Sequence, residues 1–144
     1  MLILPQPLYE EVLAQCRRHY PLEACGLLAG VTGTLDRMER PVAQIYPMRN
    51  IEESPIGYAM DPKEQLLVER AMRRLRQHLI GIYHSHTATD AYPSSVDVHL
   101  AISPDLSYVL VSLKDPSRPV IRSYRIDGMR VKSEPPVRIG EGDS

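Results

Sequence analysis

Residues 79–101, LIGIYHSHTATDAYPSSVDVHLA, decide how the rest of the chain is read. The segment opens on a short apolar run, Leu79 to His84, with the length and branching of a buried strand. His84 and His86 follow where the strand runs into a polar loop. Residues two apart on an extended chain point to the same side, so the two imidazoles are aimed together, an arrangement that suits a transition metal better than packing. Further on come Ser94 and Asp97. Taken alone they spell an ordinary helix start, Ser-x-x-acid. Taken with the histidines, a helix beginning at Ser94 turns Asp97 back toward the loop. His84, His86 and Asp97 then offer two nitrogens and a carboxylate oxygen, the three-ligand pattern of an open, catalytic zinc site.

Working outward, the periodicity predicts a helix over 7–19, with Pro7 in its first turn and Leu8, Val12 and Cys16 recurring at helical spacing. Proline at 21 ends it. CGLLAGV, residues 25–31, reads as a buried strand, followed by a turn at Thr32-Gly33. The alternation Val42, Gln44, Tyr46 predicts a strand ending near Pro47. Residues 47–57 read as a surface loop, and Tyr58 to Met60 as a short strand. Asp61-Pro62 then opens a helix whose apolar stripe is Val68, Met72, Leu75 and Leu79. Its arginines at 70, 73, 74 and 76 read as a solvated face. Two strands are expected at 107–113 and 119–126, joined by a turn at Asp115 to Arg118. The domain is expected to span 1–134, with 135–144 a frayed tail. This order of elements is that of an α/β (α+β) fold built on a mixed sheet.

Composition narrows the function classes. The chain has 144 residues, enough for one domain with a core of its own. Seventeen basic residues stand against eighteen acidic ones, and no long basic block occurs, which argues against a nucleic-acid binder. No apolar run reaches the roughly 20 residues of a membrane span. The first residues, MLILPQPLYE, lack the basic flank of a signal peptide. Two cysteines, Cys16 and Cys25, are too few for a disulfide framework, so a cytoplasmic protein is expected. Cys25 reads as a small buried hydrophobe, and Ser85 as a candidate partner for a ligand histidine.

His84-Ser85-His86, seven residues, then Ser94-x-x-Asp97 resembles the His-x-His-x7-Ser-x2-Asp motif of the JAMM (MPN+) metalloproteases. LEACGLL, residues 22–28, is similar to the family's glutamate segment. The resemblance covers nearly the whole chain and implies the MPN fold, a cytidine-deaminase-like mixed sheet flanked by helices. It implies one zinc ion per chain on His84, His86 and Asp97. It also implies Glu23 as general acid/base beside the attacking water, and Ser94 as a stabiliser of the oxyanion. The stretch 84–101 resembles the bacterial branch that releases cysteine from the C-terminal Gly-Gly of a ubiquitin-like sulfur-carrier protein.

Of the two insertions that larger members use to grip ubiquitin, the first would fall at 47–60 and the second is almost absent. This favours a carrier tail with a small adduct beyond it. The alternatives are a deubiquitinase-like isopeptidase acting on protein–lysine conjugates, a non-haem iron enzyme using the same three ligands, and a non-catalytic MPN scaffold. The expected partner is the carrier protein, with neither nucleic acid nor membrane. A homodimer is an arrangement the family's domains often adopt.

Overall fold

The apolar run ahead of the histidines lies at the centre of the sheet. The computed structural model describes residues 1–32 and 39–140. In chain order the elements are β1 (Leu2–Pro5), α1 (Gln6–His19), β2 (Cys25–Val31), β3 (Arg40–Pro41), β4 (Gln44–Met48) and α2 (Pro62–Arg74). They continue with β5 (Gln77–His86), α3 (Ser95–Leu100), β6 (Ser107–Ser112), β7 (Val120–Asp127), β8 (Arg130–Ser133) and β9 (Arg138–Gly140). The main sheet has six strands in the order β4-β2-β5-β6-β7-β8. Only the β5–β6 pair is parallel, so the sheet is mixed and the expected fold class holds.

Strand alternation sorts β5 between two cores. Tyr83 faces one with Val12, Leu13 and Cys16 of α1, while Ile82 faces the other with Cys25 and with Met72 of α2. His84 and His86 share the Ile82 side by the same alternation. A sheet with a helix on each face buries both faces, which is why β2 and β6 read as continuous apolar runs rather than alternating ones. Among the described residues no helix is long and apolar enough to cross a membrane.

Several sequence expectations shift. The stripe expected to carry α2 through Leu79 stops at Arg74. Arg76 takes φ 55, which ends the helix and turns the chain at once into β5; Leu75 is left exposed and Leu79 belongs to the strand. The strand runs on through His86, so both histidines lie in regular sheet rather than in the loop. Tyr58 to Met60 do not form a strand. The Asn50 side chain takes up that backbone instead, accepting from Ala59 N at 3.1 Å and donating to the Gly57 carbonyl at 3.0 Å.

Within the stretch read as a frayed tail, Arg138–Gly140 pair in parallel with β1, which also pairs with β3 in a small second sheet. Strands of two to four residues are too short for alternation to reveal. Gly33 of the expected turn, residues 34–38 of the segment leading to β4, and residues 141–144 lie outside the described residues.

Gly26 is required by a close approach. A Cβ there would lie 2.2 Å from the ring of Tyr83, its partner across the β2–β5 pair. Tyr83 is fully buried, and its hydroxyl donates to Gln15 Oε1 of α1. The Gln15 amide donates in turn to the Cys25 carbonyl at 2.9 Å. Gly26→Ala should therefore destabilise the fold by about 3 kcal/mol, since the ring has nowhere to move. Urea unfolding checks this: the midpoint should fall at unchanged slope.

Candidate metal centre

The site is assembled from the end of β2, the end of β5 and the first turn of α3. Cys25 pairs with His84 across the antiparallel β2–β5 ladder. Just before it, Ala24 N donates to Ser85 Oγ at 2.8 Å, and Ser85 N donates to the Ala24 carbonyl at 3.0 Å. Ser85 thus clasps the glutamate segment to the histidine strand, its Oγ accepting from that segment's backbone. Glu23 follows at the mouth, its own N–H donating to the Ser54 carbonyl at 2.9 Å.

Three donor groups converge. His84 Nε2 and His86 Nε2 are 3.2 Å apart. Asp97 Oδ1 lies 3.2 Å from His84 Nε2, and Oδ2 lies 3.1 Å from His86 Nε2. Among the described residues this is the group of His, Cys, Asp and Glu side chains able to hold a metal. Ligand atoms 2.0–2.1 Å from a tetrahedral zinc stand about 3.3 Å apart, close to the spacing found. The Asp90 carbonyl lies 2.9 Å from His86 Nδ1, so Nδ1 donates there and Nε2 is the nitrogen that would present its lone pair to a metal. Two nitrogens and one carboxylate, with both histidines buried, fit zinc.

Ser94 and Asp97 satisfy both readings at once. Ser94 is the N-cap of α3: its Oγ accepts from Asp97 N at 3.1 Å, and its N–H donates to Asp97 Oδ2 at 2.8 Å, a complete capping box. The same carboxylate faces the imidazoles, so the helix start orients the third donor.

Burial and charge set the protonation states. Burial opposes ionisation of Asp97, but hydrogen bonds from His84 and His86 overcome it and hold the carboxyl well below its usual range. Burial pulls His84 down. It works against charged His86 as well, yet Asp97 and the Asp90 carbonyl leave that imidazole above its ordinary value. Glu23 behaves differently. Burial pushes its carboxyl up to about 7, with His86 lowering and Asp97 and Glu52 raising it. Its Oε1 is buried without a hydrogen-bond partner among the described residues. Cys25 is wholly buried, outside the donor group, with its thiol pushed up to about 12 by burial.

Two positions that the sequence placed only within a candidate groove wall, Asn50 to Met60, make specific contacts at the site. Tyr58 stacks on His84 with ring centroids 4.4 Å apart. Asn50 organises the loop above Glu23, donating to the Glu23 carbonyl at 3.0 Å and accepting from Glu52 N at 3.1 Å. An asparagine inside a proline- and glycine-bearing loop was the available signal.

The mixed sheet with this trio at a strand end defines a JAB/MPN-type domain. Residues 5–127 match the family described as prokaryotic homologs of the JAB domain, and the chain belongs to that family. It is 50% identical over 135 residues to the CysO-cysteine peptidase of Mycobacterium tuberculosis, covering 94% of this chain and 89% of that protein. It is 35% identical over 99 residues to a probable TtuB-protein conjugate cleaving protease of Thermus thermophilus, covering 68% of this chain and 62% of that one. The solution structure of protein DSY2949 from Desulfitobacterium hafniense superposes with a TM-score of 0.87 at 40% identity, covering 99% and 96% of the two chains.

Elemental analysis tests the donor set. Wild-type protein should carry one zinc per chain, and His84→Ala, His86→Ala and Asp97→Ala should each lose it. Cys25→Ser should retain it. Stoichiometric zinc surviving in His86→Ala would remove that residue from the set.

Proposed function

We propose that this chain is a zinc-dependent peptidase that cleaves after the C-terminal Gly-Gly of a ubiquitin-like sulfur-carrier protein and releases cysteine. The observation that carries the reading is Glu23: a buried carboxyl oxygen without a partner, within electrostatic reach of the His84–His86–Asp97 trio. Identity of one half to a CysO-cysteine peptidase supports the choice of substrate.

His84, His86 and Asp97 would hold the metal. Bound there, zinc supplies a Lewis acid that makes water nucleophilic near neutral pH and polarises the scissile carbonyl. Glu23 takes the proton of the attacking water and delivers it to the leaving nitrogen. A carboxyl raised to about 7 can do both near neutral pH. Ser94 Oγ accepts from Asp97 N, so its own proton remains available to the oxygen on which charge develops. The carrier tail would lie in an apolar groove of about 200 Å³ lined by Tyr58, Met60, Ile82, Leu100 and Ile102, of which Tyr58 stacks on His84. Glycines suit its inner end, where Tyr58 closes over His84. Buried, unbridged Cys16 and Cys25 suit a reducing cytoplasm.

A second reading, cleavage of protein–lysine conjugates, is favoured by the Thermus relative. An iron oxygenase on the same ligands, or a scaffold without activity, leaves the orphaned Glu23 oxygen without a use.

Mass spectrometry of three substrates separates these readings. Carrier–cysteine should be hydrolysed faster than carrier–lysine conjugates or lysine-linked ubiquitin. Cleavage of the lysine conjugates alone would select the second reading. Separately, Glu23→Gln should keep its zinc and lose about 10²-fold or more in kcat. Ser94→Ala should also keep zinc and lose roughly 10²-fold. Full activity in Glu23→Gln would overturn the mechanism.

A further inference from the structure

A second cleft, of about 560 Å³, opens beyond the loop that follows His86. Asp90, Tyr92, Lys114, Arg118, Arg122 and Tyr124 are among its lining residues. Register puts it on the catalytic face. His84 pairs with Leu110, and Leu110 with Arg122; His86 pairs with Ser112, and Ser112 with Val120. Residues along such a row point to the same face, so Arg122 shares the face of the imidazoles. It stands two strands away from His84, about 10 Å at the usual strand spacing.

The wall between cleft and trio is the short turn Asp90 to Tyr92. That turn is held firmly. Ala91 packs on Leu110 and Tyr124, the Tyr124 hydroxyl donates to the Ala91 carbonyl, Ser112 Oγ donates to the Thr89 carbonyl at 2.6 Å, and the Asp90 carbonyl accepts from His86. The opposite side of the trio is occupied by the Asn50 loop, whose Pro55 carbonyl accepts from Thr87 at 3.2 Å. With the tail on that side, the leaving group departs on the side of the cleft.

The charges there are unequally committed. Lys114 Nζ pairs with Asp90 at 3.4 Å, and Asp115 caps its own turn through Ser117. Arg118 and Arg122 line the cleft with no ion pair among the described residues, and the Arg122 side chain makes a long hydrogen bond, 3.4 Å, to the carbonyl of its neighbour Ile121. Two uncommitted guanidiniums beside a peptidase centre are suited to a carboxylate, which each can take in a bidentate grip.

We infer that this cleft recognises the free carboxylate of the leaving amino acid, with Arg118 and Arg122 as specificity-determining residues. The inference deepens the peptidase reading above and rests on it. It gives a chemical reason for preferring a single amino acid over a lysine side chain as leaving group: only the former places an anion next to the nitrogen that departs.

The test uses zinc-loaded, full-length protein and two carrier-tail peptides that differ in one group, ending in Gly-Gly-Cys as the free acid or as the C-terminal amide. Wild-type enzyme should cleave the acid with kcat/KM at least ~10-fold above the amide, the expected scale for one charge-assisted contact. Arg118→Gln/Arg122→Gln should bring the acid down to the level of the amide and leave the amide unchanged. Arg122→Glu should place the acid below the amide. Both arginines are exposed, so folding should be unaffected, and zinc content and the unfolding midpoint check this. Equal rates on acid and amide in wild type, or equal losses on both in the variants, would overturn the cleft assignment while the peptidase reading stood. Failure of wild type to cleave either peptide would overturn both.

Discussion

The pairing of Cys25 with His84 across β2 and β5 is the constraint on which the site depends. The two strands are clamped at their ends by the exchange between Ala24 and Ser85, a backbone N–H on a buried hydroxyl and a backbone N–H on a carbonyl. A slip of one residue would turn every side chain of β5 to the other face. Tyr83 and Ser85 would then point where the imidazoles belong. Gly26 and Tyr83 oppose that slip: the ring fits over β2 only where Cβ is missing, and its hydroxyl reaches Gln15 only from there. The same register leaves Glu23 just beyond the strand, beside a centre to which it donates no ligand atom.

Within the site, one carboxylate is shared and the other kept apart. Asp97 faces both imidazoles and accepts from the helix start, so its negative charge is stabilised from three directions. Glu23 is desolvated with no hydrogen bond on Oε1 among the described residues, and burial raises its carboxyl to about 7. Two carboxyl groups of the same chemistry, one on a helix N-terminus and one at a strand end, are thereby driven to opposite ends of their range.

The trio lies between two different environments. On one side the Asn50 loop and α3 border an apolar groove; on the other the turn after His86 separates it from a cleft with two uncommitted arginines. The two walls differ in chemistry, one apolar and the other charged. Both walls are tied to the end of β5, Pro55 to Thr87 on one side and Asp90 to His86 on the other, so the trio and both walls share one framework.

The donor set was legible in the sequence because its spacing is local: i and i+2 on a strand, then a serine and an acid one helical turn apart. The apolar runs of β2, β5 and β6 and the cap at Asp61 were legible for the same reason. Glu23 was not, since a carboxylate before a strand looks like any other until its neighbour across the sheet is known; only the family resemblance pointed to it. Ser85, Asn50 and Tyr58 act through partners 61, 27 and 26 positions away. The end of α2, the strands β1 and β9, and the absence of a strand at 58–60 depended likewise on contacts distant in the chain. Short-range periodicity records which side chains share a face of one element, but it carries no information on which element lies opposite. That was decided by the burial of two apolar faces at once, and it determined which carboxyl meets the histidines and which arginines face the cleft.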